Sequence, residues 1–186
     1  KGDLSDAISA YAQIVATREE TLGRDHPGLL AELSNLGAAQ RAAHQLEQAR
    51  GPFERCLKVA RKIKPHPSPA LALALDNLAG LLYAGGDHEP AAEHYREALT
   101  VTESLFGPQH AATAAALHNL GTALDSLSRF PEAKLCVRRA VEIRAQALGR
   151  EHAETATSLH NLAGVLDVTG EREEAESLYR EAIETR

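Results

Sequence analysis

The stretch Leu-x-Asn-Leu returns four times, as Leu33-Ser34-Asn35-Leu36, Leu75-Asp76-Asn77-Leu78, Leu117-His118-Asn119-Leu120 and Leu159-His160-Asn161-Leu162. Each copy follows the last by 42 residues, without insertion or deletion. Self-similarity at a period of roughly 20–50 residues is the signature of a stacked repeat array. In such an array each unit touches mainly its neighbours, so the chain is expected to form a single array rather than separate globular domains.

Two helices per period account for the pattern. The first, A, carries Leu33, Leu36, Gly37 and Gln40, and at the next copies Leu75, Leu78, Ala79 and Leu82, then Leu117, Leu120, Gly121 and Leu124, then Leu159, Leu162, Ala163 and Leu166. That is the i, i+3, i+4, i+7 spacing of one helical face. Gln40 breaks the apolar column, and looser packing is expected there. The second helix, B, shows Ala7, Tyr11, Ile14 and Val15, a face repeated from Ala49 with Phe53, Ala91 with Tyr95, Ala133 with Val137 and Ala175 with Tyr179. The small residue admits a neighbouring helix and the large one fills the gap beside it.

Punctuation sets the boundaries. Gly23, Gly107 and Gly149 fall where B should end, and Pro65 takes that place once. Ser68 followed by Pro69 is a helix start, as is Asp25-His26-Pro27. The spacing predicts A helices over 28–42, 70–84, 112–126 and 154–168, and B helices over 4–22, 46–63, 88–106, 130–148 and 172–186. Pro52 lies inside the second B helix and should kink it.

These residues resemble the tetratricopeptide repeat, and the period of 42 with the junction Leu22-Gly23-Arg24-Asp25-His26-Pro27 resembles its kinesin light chain subclass. The resemblance covers the whole chain. It implies an all-α, right-handed superhelical solenoid of antiparallel helix pairs, about four and a half repeats long. The expected layout is an orphan B helix and junction at 1–25, then A–B repeats at 26–67, 68–109, 110–151 and 152–186. The family implies a concave groove lined by A helices, in which the repeated Asn hydrogen-bonds an extended peptide. That role carries over to Asn35, Asn77, Asn119 and Asn161.

The residues themselves support such a surface. Asn is a mediocre helix former, so four at one phase need a reason. Its amide offers donor and acceptor together and matches a peptide bond. The same amides could instead bond a neighbouring helix and stiffen the stack. Around them, just off the core face, lie Arg41, Asp76, Tyr83, His118, Asp125, His160 and Asp167. The charges among these sum to −2, which favours a neutral to mildly basic partner segment. Ala38, Gly80 and Gly164 either leave room for a ligand or allow close helix packing.

Other classes are set aside. A net charge of −6 disfavours nucleic acid. Ser104 to Leu124 lacks formal charge but contains Gly107-Pro108, two His and Asn119, so it does not read as membrane-spanning. Cys56 and Cys136 form no disulfide or zinc pattern and suit a reducing, cytoplasmic setting. Asp76, His118 and His160 stand on successive helices, about 10 Å apart, too far to converge on a metal. The basic run Arg55, Lys58, Arg61, Lys62 and Lys64 reads as solvated helix surface. No nucleophile with a base, phosphate loop or isolated carboxylate pair is present, so neither catalysis nor a cofactor is expected. Without Met at position 1, the chain reads as part of a longer protein. The reading is a non-catalytic module that binds a peptide or protein segment. The alternatives are a structural spacer that self-associates end to end, or the sensor part of a larger enzyme or signalling protein.

Overall fold

The structure is a computed structural model that describes residues 2–184, with side chains from Leu4 onward. Helices α1 (Gly2–Leu22), α2 (Leu30–Ala42), α3 (Leu46–Ala60), α4 (Pro69–Ala84), α5 (His88–Phe106), α6 (Ala111–Ser126), α7 (Phe130–Leu148), α8 (Ala153–Thr169) and α9 (Arg172–Glu184) follow one another. No strand occurs among the described residues. The even-numbered helices are the A helices and the odd-numbered ones the B helices, packed as antiparallel pairs. The chain divides into two compact units, residues 1–101 and 102–186, with the boundary inside α5.

The A faces are buried as expected. Leu33, Leu75, Leu117 and Leu159 are at most 2% exposed. Gln40 is half-buried, and its Oε1 is shielded from solvent without a hydrogen-bond partner among the described residues. The B faces follow less closely: Ala7, Tyr11, Leu99 and Tyr179 are half-buried, and two isoleucines are exposed. Ile14 is 42% and Ile183 70% exposed. Both isoleucines belong to the terminal helices of the array, α1 packing on α2 and α9 on α8.

What fixes the distance within each A–B pair is a small residue on A facing a large one on B. A Cβ built on Gly37 would stand 2.8 Å from the Phe53 ring, and one on Gly121 would stand 2.4 Å from Val137 Cγ2. In the second and fourth repeats this position is Ala79 or Ala163, and the glycine moves one residue on. There the Tyr95 and Tyr179 hydroxyls lie 3.5 Å from the Cβ positions of Gly80 and Gly164. Small residues on A therefore seat the large B side chains, and the glycine shifts when Tyr replaces Phe or Val.

The junctions are tied by their own side chains. His26, His110 and His152 accept through Nδ1 from the backbone N–H of Gly28, Ala112 and Glu154, at 3.0, 3.1 and 3.2 Å. Each satisfies a free donor at the start of a helical segment. Ser68 caps α4 in the same way, accepting from Leu71 N–H at 3.3 Å. In the second unit, Thr113 and Thr155 donate back to the carbonyls of Gly107 and Gly149. Before α2 a short 3-10 turn, Pro27–Leu29, replaces the expected first helical turn. α3 stops at Ala60, three residues short of its expected end. The chain tightens through Ile63 N–H to Ala60 O, and Pro65 disfavours helix at the residue before it. α3 runs without a break through Pro52. The expected end of the last helix, Thr185 and Arg186, lies outside the described residues.

The two kinds of glycine should part under mutation. Gly121→Ala forces its Cβ into Val137, an overpacking cost of about 1–3 kcal/mol that exceeds the gain of about 1 kcal/mol in helix propensity. Gly51 has no atom of the described residues within 4 Å of its Cβ position. Gly51→Ala should therefore raise the midpoint of urea unfolding, followed by far-UV circular dichroism, and Gly121→Ala should lower it.

Candidate interaction surface

In the first unit, A-helix residues line a largely apolar pocket of about 350 Å³. Asn35 and Ser34 come from α2 and Asn77 and Leu73 from α4, with Cys56 of α3 also in the wall. Leu73 is 57% exposed, high for a leucine beside a pocket. Asn77 Nδ2 donates to Ser34 Oγ at 2.9 Å, one repeat back. Asn35 is exposed, and no side-chain hydrogen bond reaches it among the described residues. Cys56 is 2% exposed, and burial pushes its thiol up to about 12.

Beside this pocket stands a second group from the sequence reading. Arg41 Nη1 lies 2.6 Å from the Cβ position of Gly80, next to the Tyr95 hydroxyl. Burial and then the Asp76 carboxylate raise the Tyr95 phenol above its ordinary range, and Arg41 acts against them. Tyr83 meets His88 across the α4–α5 turn with ring centroids 4.9 Å apart.

The second unit joins its residues differently. His118 of α6 is held between two side chains of α8. Its Nδ1 lies 3.3 Å from Ser158 Oγ and its Nε2 lies 3.4 Å from Asn161 Nδ2. Asn161 Nδ2 also reaches Thr122 Oγ1 at 3.4 Å. Ser158 in turn accepts from Arg144 Nη1 at 2.6 Å, and that guanidinium is itself buried at 7% exposure. If Nε2 accepts from the amide, the ring proton sits on Nδ1 and donates to Ser158. Burial first, and the Arg144 charge second, lower His118 from 6.5 to about 4. A smaller pocket of about 180 Å³ opens nearby, with Thr122, Asp125, His160, Asn161, Gly164 and Tyr179 in its wall. Burial raises the Asp125 carboxyl. His160 meets the Tyr179 ring edge-on at 5.2 Å. Asn119 is half-buried and Asp167 is exposed, and neither lines this pocket.

These helix pairs and their repeating small-to-large contacts have known counterparts. The sequence model of the tetratricopeptide repeat matches residues 1–62, 70–146 and 136–186. The chain belongs to the tetratricopeptide repeat family. Among solved structures it is similar to the nearly identical TPR-like repeats of a Podosopora anserina protein described as a kinesin light chain, solved both unsubstituted and with one residue replaced. For the substituted form the identity is 26%, the TM-score 0.87 and the coverage 99% of this chain and 87% of that one. BtubC (BKLC) from P. vanneervenii, at 19% identity and TM-score 0.78, covers 100% of this chain and 71% of its own. RapI in its apo form, at 18% and 0.83, covers 99% and 49%. These last two likenesses concern the fold alone. No curated protein matches the chain.

With the TPR repeats in place, the basic run has an address. Arg55 pairs with Glu19 and Arg61 with Glu97, while Lys58 and Lys62 both reach Asp25 Oδ2 at 2.9 and 3.0 Å. The two lysines hold the Asp25 carboxyl down at about 2. Four of the five basic residues thus bind neighbouring repeats. Among the described residues no group of three or more His, Cys, Asp and Glu side chains could hold a metal ion, and no helix is long and apolar enough to cross a membrane. The sequence reading missed Arg144 and Ser158 as partners of the A-helix His. A charged residue on an otherwise apolar B face was the signal available for Arg144.

The depressed His118 makes a pH prediction. Unfolded, its imidazole takes a proton below about 6.5; folded, only near 4. Its contribution is therefore complete above 6.5 and is lost as pH falls towards 4. Between pH 7 and pH 5 the loss should be about 2 kcal/mol. Urea unfolding at the two values should show it in the wild type, and His118→Gln should shrink the difference.

Proposed function

We propose that the chain is a non-catalytic module that holds an extended polypeptide segment against its A helices. TPR repeats are in general protein–protein interaction modules, and the finer reading concerns which surface does the holding. The observation that carries it is the pocket between α2 and α4, where Asn35 and Asn77 stand beside Leu73, which is 57% exposed. An apolar wall with amides at its edge suits a peptide, since side chains take the wall and the main chain takes the amides.

The Asn side chains serve two ends in this reading. Asn77 and Asn161 each donate an amide N–H to the preceding A helix. Each amide oxygen still brings acceptor capacity for a ligand N–H. The inter-repeat bond then holds the amide in one orientation before a ligand arrives, which lowers the ordering cost of binding. The few charges on this surface favour a neutral to mildly basic segment.

The test uses a phage-displayed library of random dodecapeptides, selected on the 186-residue chain. The selected peptide is then titrated by fluorescence polarisation. Asn35→Ala and Leu73→Asp should each weaken binding by about fivefold or more while leaving the thermal midpoint unchanged, because both side chains are exposed. Affinities unchanged in both variants would reject this surface.

A further inference from the structure

The repeats alternate in kind, so the useful internal comparison is two repeats apart. The pocket of the second unit has a counterpart in the first at every position. Asn161 answers to Asn77, Gly164 to Gly80, Tyr179 to Tyr95 and Asp125 to Arg41. In the first unit the place beside the glycine is taken. The Arg41 guanidinium lies 2.6 Å from the Gly80 Cβ position, beside the Tyr95 hydroxyl. In the second unit, among the described residues, Gly164 has only the Tyr179 hydroxyl within 4 Å of its Cβ position. The space that Arg41 fills is open there, as a pocket of about 180 Å³.

The substitution also reverses the charge. Where the first unit supplies its own cation, with Asp76 close by, the second supplies the Asp125 carboxylate to the same place, with His160 at the position of Asp76. Among the described residues neither a lysine nor an arginine lines the pocket to neutralise it. The His160 and Tyr179 rings and the Thr122 and Asn161 side chains complete the wall. A planar cation between aromatic rings and a carboxylate combines cation–π attraction with a charge-assisted hydrogen bond.

We infer that this pocket receives the arginine side chain of a bound polypeptide, in the place that Arg41 occupies in the first unit. The inference rests on the polypeptide-binding reading above and names one residue of the segment. The guanidinium would bond Asp125 and lie over Gly164, whose missing Cβ leaves the approach open. The peptide bond of the same arginine would be within the reach of Asn161.

Nitrogen-15 NMR with acetylated, amidated Gly-Gly-Arg-Gly-Gly tests this, against the same peptide carrying citrulline and against ethylguanidinium. The arginine peptide should shift the Asn161 and Gly164 amides saturably. Citrulline, the neutral isostere, should bind about fivefold more weakly or less well still. Asp125→Asn should remove that difference. Arg41→Asp should create a second arginine-dependent set of shifts around Gly80. Equal binding of the arginine and citrulline peptides overturns the inference and leaves the amide-based reading standing. Arginine-dependent shifts that survive in Asp125→Asn, or no shifts at all, overturn it too. Ethylguanidinium binding as tightly as the arginine peptide would assign the site to free guanidines and overturn the polypeptide source.

Discussion

The close approach of each A helix to its own B helix governs the surface that the A helices present. Gly37 against Phe53 and Gly121 against Val137 leave no room for a methyl group. Helix packing distances of about 8–10 Å depend on the side chains at the contact. A glycine there lets a large B side chain lie flat against the A backbone, and the outward face of A then carries the Asn and its neighbours. When the B residue is Tyr the glycine slips to Gly80 or Gly164, and the hydroxyl comes up beside the surface. In the second unit the same packing choice that closes the core opens a small recess beside Asn161.

Between repeats the fastening is polar. Junction imidazoles cap A-helix starts, and B-helix cations reach the preceding junction, as Arg55 does to the Arg24 carbonyl and Arg139 to that of Pro108. Exposed ion pairs contribute about 0–1 kcal/mol each, so their number does not decide stability. What they set is register, because each pair fits one spacing along the helix. The buried chain from Arg144 through Ser158 to His118 and Asn161 differs. It is shielded, its members hold each other in place, and a proton on His118 would disturb all of them.

The periodicity made the helices legible almost residue by residue. The Leu-x-Asn-Leu phase placed the A faces, and Asp25-His26-Pro27 and Ser68-Pro69 marked two of the helix starts. Less legible were the ends, where Ile14 and Ile183 obey the pattern yet remain exposed, since periodicity records the face and not whether it is covered. The job of the Asn residues was open in the sequence for a physical reason. An amide at one helical phase can face a ligand or the previous helix, and only coordinates show Asn77 donating to Ser34. Arg41 was visible as a charge on the surface. That it lies on a glycine of the next A helix depends on a side-chain path that spacing does not encode.

The alternation of charge along the B helices has a further consequence. Glu19 faces Arg55, Arg61 faces Glu97 and Glu103 faces Arg139, so the sign of the leading member flips at each step. Excising one hairpin would bring Glu19 opposite Glu97, two like charges in contact. Excising two would bring Glu19 opposite Arg139 and keep attraction. Loss of an even number of hairpins would therefore keep this pair of positions opposite in charge, whereas loss of one would set two carboxylates against each other, a penalty of the same modest size as an exposed pair, about 0–1 kcal/mol.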